Sequence, residues 1–114
     1  MYKLHFLEKE NDLNKIIRTH KKNQDSFSVL FISLWDNYCG SLVDKLKQTY
    51  GDAKDGKPLY VVDSFNMPHS FVIYNTTKVP HLVDLSDKGI YSEDYIPMIH
   101  KRLIPEKPRK KRSK

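Results

Sequence analysis

Phe27-Ser28-Val29-Leu30-Phe31-Ile32-Ser33-Leu34 is a mostly apolar run that passes without a break into Trp35-Asp36-Asn37-Tyr38-Cys39. Its β-prone residues do not alternate with polar ones, which is the pattern of a strand covered on both faces. From Cys39 onward, Leu42, Val43, Leu46 and Tyr50 recur at helical spacing, and Gly51 closes the helix. A doubly covered strand that runs straight into a helix needs helical layers on either side of a sheet.

The rest of the chain supplies the layers. Tyr2 to Leu7 alternates weakly and reads as a short strand. Asn11 or Asp12 offers a helix cap, with Leu13, Ile16 and Ile17 on one face and His20-Lys21-Lys22 at the negative end of the helix dipole. Pro58 to Asp63 is a second buried strand, His69 to Tyr74 a short helix, and Leu82 to Leu85 a further strand before the turn Asp87-Lys88-Gly89. Tyr95, Ile96, Met98, Ile99 and Leu103 mark a last helix, capped by Ser92 or Asp94, with Pro97 tolerable in its first turn. The order β-α-β-α-β-α-β-(β)-α predicts a mixed sheet with helices on both faces.

Cys39 and Pro80 lie 41 positions apart, the latter within Val79-Pro80-His81-Leu82-Val83. Together with Trp35 at the strand-to-helix turn, this pairing resembles the thioredoxins, whose redox site is Trp-Cys-Gly-Pro-Cys and whose cis-proline loop reads Ile/Val-Pro-Thr-Leu. The resemblance implies a thioredoxin fold with a central sheet of about four main strands. Only Gly89-Ile90-Tyr91 remain where the family has its fifth strand, so that strand is expected to be very short or missing. It also implies a cis Val79-Pro80 bond beside the Trp35 turn.

Three parts of the family's dithiol machinery are replaced. The first cysteine falls on Asp36, the buried acid nine residues before the second cysteine falls on Leu30, and the Gly-Pro between the cysteines becomes Asn37-Tyr38. A first-position cysteine is reactive because the helix N-terminus stabilises its thiolate. Asp36 at that position reads as a structural cap or as a catalytic or ligand-binding carboxylate. Cys39, at the resolving position, reads as a small core residue, a reactive monothiol or, last, a metal ligand. Trp35, Tyr38, Val79 and His81 are placed to rim a protein-docking surface around Pro80, against the plainer reading that Pro80 only maintains the fold. A narrower likeness joins Trp35, Asp36 and Cys39 to the spliceosomal thioredoxin-like family, which has Trp-Asp-x-x-Cys here and serves a ribonucleoprotein without redox activity.

The net charge of +6 is unevenly placed: residues 105–114 carry +5 and residues 1–104 only +1. The basic groups of the tail are Lys107, Arg109, Lys110, Lys111, Arg112 and Lys114. Without apolar residues to bury, the tail is expected to be flexible, a second unit beside a domain spanning 1–104. Such a tail suits RNA or DNA phosphates, nuclear import, or plain solubility. His5, His20, His69, His81 and His100 show no metal-ligand spacing, and the four glycines form no phosphate loop, so neither metal nor cofactor is expected. The chain has no transmembrane run and no signal-peptide pattern at its N-terminus, and a single cysteine fits a reducing compartment. These features favour an intracellular protein, cytoplasmic or nuclear. They describe a redox-inactive adaptor or structural subunit of a larger protein, nucleoprotein or viral assembly. It would dock protein through Trp35, Asp36, Tyr38, Cys39, Val79, Pro80 and His81. The alternative is an atypical monothiol oxidoreductase centred on Cys39.

Overall fold

The computed structural model describes residues 2–23, 25–33, 35–64, 67, 68, 71, 78–86 and 89–104. Five strands and three helices are defined among them: β1 (Tyr2–Leu7), α1 (Glu10–Asn23), β2 (Phe27–Ile32), α2 (Asn37–Tyr50), β3 (Lys57–Asp63), β4 (His81–Ser86), β5 (Gly89–Glu93) and α3 (Ile96–Leu103). The sheet order is β1-β3-β2-β4-β5. β3 pairs parallel with both β1 and β2, while β4 pairs antiparallel with β2 and β5.

β2 lies at the centre, and every one of its residues is buried. Successive strand residues point to opposite faces. Leu30 and Ile32 therefore join Leu59, Val61 and Leu82 under α2 and α3, where Cys39, Leu42, Leu46, Ile99 and Leu103 complete one core cluster. Phe27, Val29 and Phe31 meet Tyr60 and Val62 on the other face, under Leu13 of α1 and Met67. This two-sided burial is what the unbroken apolar run of β2 required.

Several local details differ from the sequence reading. β5 is five residues long and pairs with β4 along its whole length, so the expected loss of the fifth strand does not occur. Its side chains are mostly exposed, Ile90 and Tyr91 included, so the strand is defined by backbone pairing with β4 and not by burial. α1 begins at Glu10, before both expected caps. The N-cap of α3 is Tyr95, not Ser92 or Asp94, and it makes no side-chain capping bond. Ser92 and Glu93 are drawn into β5, and the Glu93 carboxylate accepts from the Tyr95 N–H at 3.0 Å. α2 does end at Gly51, in ordinary right-handed geometry (φ −55°). Glycine is needed there because a Cβ would collide with the Lys47 carbonyl oxygen. The helix expected over His69 to Tyr74 falls almost wholly outside the described residues, as does the tail.

Candidate functional site at the N-terminus of α2

After Ile32 the chain leaves the sheet and turns through Trp35 and Asp36 into α2. The turn is held by the Asp36 N–H donating to the Ser33 carbonyl at 3.0 Å and the Trp35 N–H donating to Ser33 Oγ at 3.4 Å. Asp36 is the N-cap, with extended backbone, and its Oδ2 accepts from the Cys39 N–H at 3.3 Å. A helix leaves its first N–H groups unpaired, and a capping carboxylate satisfies one of them while adding charge of the favourable sign. The capping reading of Asp36 is therefore realised in the geometry.

Cys39 sits one turn into the helix and is 0% exposed. Burial pushes its thiol up to about 12, the Asp36 and Asp63 carboxylates add to the rise, and a backbone hydrogen bond at Ser33 opposes it. A thiol must ionise before it attacks a disulfide or binds a metal. With that value only about one Cys39 in 10⁵ is a thiolate at neutral pH. Leu30, where a proton-relaying acid would lie, is also 0% exposed and packs among aliphatic side chains.

The Val79–Pro80 peptide bond is cis. Pro80 is buried, and Val79 packs with Tyr38 against the cluster that contains Cys39. The structure thus brings Trp35, Asp36, Tyr38, Cys39, Val79 and Pro80 to one end of the sheet. Trp35 stands out from it, 81% exposed. His81 does not join them. Its ring lies 6.2 Å from that of Phe31, in a groove it shares with Leu13 and Ile17 of α1, on the opposite face of the sheet. Alternation along β4 explains this: Leu82, not His81, points into the Cys39 cluster.

The other described histidines build no site. His20 stacks on Phe27 at 4.4 Å and its Nε2 lies 2.9 Å from Tyr60 Oη, while His5 stacks on the Tyr60 ring at 5.1 Å. Burial, with Lys3 and His20 nearby, lowers the pKa of His5. No group of three or more metal-ligating side chains occurs among the described residues. None of their helices is long and apolar enough to cross a membrane. Lys107, Arg109, Lys110, Lys111, Arg112 and Lys114 lie outside the described residues.

Two buried carboxylates were missed in the sequence. Asp63, at the end of β3, is 6% exposed and close enough to act on the Cys39 thiol. Asp84, in β4, accepts from the Ser28 hydroxyl and from Arg102 Nη1 at 2.8 Å, with Lys57 Nζ at 3.5 Å. The one available signal was an acid interrupting Leu82-Val83-Asp84-Leu85, which has no place in a buried strand without partners.

No protein-family model matches the sequence, and no sequence among characterised proteins matches it. Solved structures do. Thioredoxin from Schistosoma mansoni aligns with a TM-score of 0.70 at 18% identity, over 89% of this chain and 93% of that one. Fasciola hepatica thioredoxin gives 0.62 at 19%, over 90% and 99%. Thioredoxin O2 from Arabidopsis thaliana gives 0.62 at 14%, over 88% and 93%. The chain has the thioredoxin fold. At such identities the likeness is one of fold alone, and the chemistry must be argued from the residues at the turn.

Proposed function

We propose that this protein is a thioredoxin-fold adaptor without dithiol–disulfide activity, a subunit of a larger protein or nucleoprotein assembly. The observation that carries the reading is the Asp36–Cys39 turn. The attacking position holds a carboxylate engaged in helix capping, and the one thiol is sealed in the core with its proton held by burial. Beside it, Trp35 offers a large exposed aromatic surface next to the half-buried Tyr38 and Val79. Exposed aromatic residues set against a rigid frame are the usual anchors of protein docking. The basic residues 105–114 would add contacts to RNA or DNA phosphates, with little sequence preference.

The alternative reading, a monothiol oxidoreductase centred on Cys39, is favoured by one observation: most of the similar solved structures are named thioredoxins. Insulin reduction separates the two. The adaptor reading expects no turnover above that of a Cys39→Ser variant, and clear turnover lost in that variant would overturn it. A photo-cross-linking residue in place of Trp35, with and without nuclease, should capture a protein partner either way. The same capture after removal of residues 105–114 would assign the protein contact to the folded body.

A further inference from the structure

Five of the seven large hydrophobic side chains found exposed among the described residues fall within nine consecutive positions. Ile90 is 69% exposed, Tyr91 39%, Tyr95 63%, Ile96 38% and Met98 41%. They run along β5 towards the end of the sheet at which β2 leads into the Trp35 turn, and on into the first turn of α3. Tyr91 lies on the α3 face, beneath Arg102, and Ile90 on the α1 face beside Leu13 and Ile17, so the apolar exposure flanks the β5 edge on both faces of the sheet. Clustered exposure marks an interaction surface more often than scattered single residues do.

The two edges of the sheet are treated differently. β1, at one edge, carries Lys3 along its length, and Lys47 Nζ lies over the exposed Phe6 ring at 5.3 Å from its centroid. Lysines on an edge strand are a common guard against pairing with another chain. β5, at the other edge, has no lysine and no proline. Its one charge, Glu93, is turned inward on its own segment, accepting from Tyr91 Oη at 2.8 Å and from the Tyr95 N–H. β5 carries no such guard among its own residues, although the Arg102 guanidinium of α3, paired with Asp84, lies over the Tyr91 ring at 4.1 Å from its centroid.

We propose that β5 is the interface of a symmetric dimer of this chain. Two copies pair β5 against β5, antiparallel, about a two-fold axis at Tyr91. That register uses the whole strand: Gly89 faces Glu93, Ile90 faces Ser92, and the two Tyr91 residues lie opposite each other. Two five-stranded sheets become one of ten strands. An extended peptide would cover β5 alone and leave Tyr95, Ile96 and Met98 in water. Only a folded body reaches the strand and the start of α3 together, and a second copy brings the same open edge as its complement.

Charge and area agree with a second copy. Residues 1–104 carry a net charge of only +1, so two folded bodies do not repel strongly. The two Glu93 residues fall at opposite ends of the paired strands, roughly 13 Å apart at ~3.4 Å per residue. That exceeds the screening length of about 8–10 Å near physiological salt. The five side chains leave on the order of 500 Å² of apolar surface exposed, taking ~150–250 Å² for a large side chain. The edge backbones bring this towards the ~800 Å² per partner of a stable interface.

The full chain, treated with nuclease, is examined by sedimentation equilibrium from micromolar to near-millimolar concentration. The expected mass rises from 13.5 kDa to twice that value. Ile90→Lys should hold it at the monomer mass with unchanged far-ultraviolet circular dichroism and melting, since Ile90 is mostly in solvent. Independently, Tyr91→Cys in a Cys39→Ser background should form a covalent dimer under mild oxidation. Opposed strand residues lie about 4.5–5.5 Å apart at Cα, within disulfide reach of about 4.4–6.8 Å. Asp44→Cys, on the exposed side of α2, should not. A monomer at every concentration overturns the proposal and leaves the patch to a different protein. A dimer that survives Ile90→Lys, or that disappears with nuclease, overturns it as well.

Discussion

The Asp36–Cys39 turn and the Val79–Pro80 loop pack against one core cluster, yet they treat their polar groups in opposite ways. In the turn, the groups capable of chemistry face inward: the Asp36 carboxylate is engaged by the Cys39 N–H, and the thiol is covered. In the loop, little beyond shape is present, a buried proline in a cis bond and a half-buried valine. The difference teaches that the outline of this site is fixed by packing around Cys39 and needs no reactive group to persist.

The comparison can be broken most forcefully at Leu30. Leu30→Asp puts back the acid that the turn lacks, into a position with 0% exposure among aliphatic side chains. Burying a carboxylate there without a partner should destabilise the fold by about 5 kcal/mol, read by chemical denaturation. A loss under about 1 kcal/mol would mean the cluster is wetter than its packing indicates.

Next in size is the pH dependence set by the thiol. Burial raises the Cys39 thiol to about 12 from an ordinary value of 9.0, so the unfolded chain releases its proton first. Stability from this group is complete below about pH 9 and should fall by about 1.4 kcal/mol per pH unit until the folded thiol ionises near 12. Cys39→Ser should lack that part of the decline. Parallel pH profiles for the two proteins would show that the turn is not closed.

Asp36→Ala should cost about 1 kcal/mol through the lost cap, while Asp36→Asn should lose only a few tenths. Both remove a charge that raises the thiol pKa, so alkylation of Cys39 should quicken in each. Equal alkylation rates in wild type and both variants would assign the raised pKa to burial alone. The smallest effect belongs to Trp35→Ala. At 81% exposure the side chain supports little of the fold, and stability should stay within about 0.5 kcal/mol. A larger loss would make Trp35 part of the scaffold and weaken its assignment to docking.

Much of this fold was legible because its centre is strongly patterned. The run over β2, the helical spacing from Cys39 to Tyr50 and the Pro80 motif each carry a signal that burial makes obligatory. β5 was legible only in part, as Gly89-Ile90-Tyr91: its full extent to Glu93 comes from backbone pairing with β4, which side chains that stay in water do not record. The side on which His81 lies depends on register, and a shift of one residue would reverse it. Asp84 was hidden for another reason. Its partners Ser28, Lys57 and Arg102 are far away in the chain, and each looks like an ordinary polar residue until the sheet assembles.

The bond from Tyr50 Oη to the Leu103 carbonyl, 2.5 Å long, also fixes a direction. Tyr50 closes α2 at the end opposite Trp35, and fourteen helical residues set those ends about 21 Å apart. The chain beyond Ile104 therefore departs from the far pole of the domain. On the proposed reading, an occupant of residues 105–114 is rooted at Ile104, away from an occupant of Trp35, so neither need displace the other. Two weak grips so separated act as a tether: once one is taken, the other meets its target at a raised local concentration. On the proposed reading the folded domain fixes where that tether is rooted, about one helix length from Trp35.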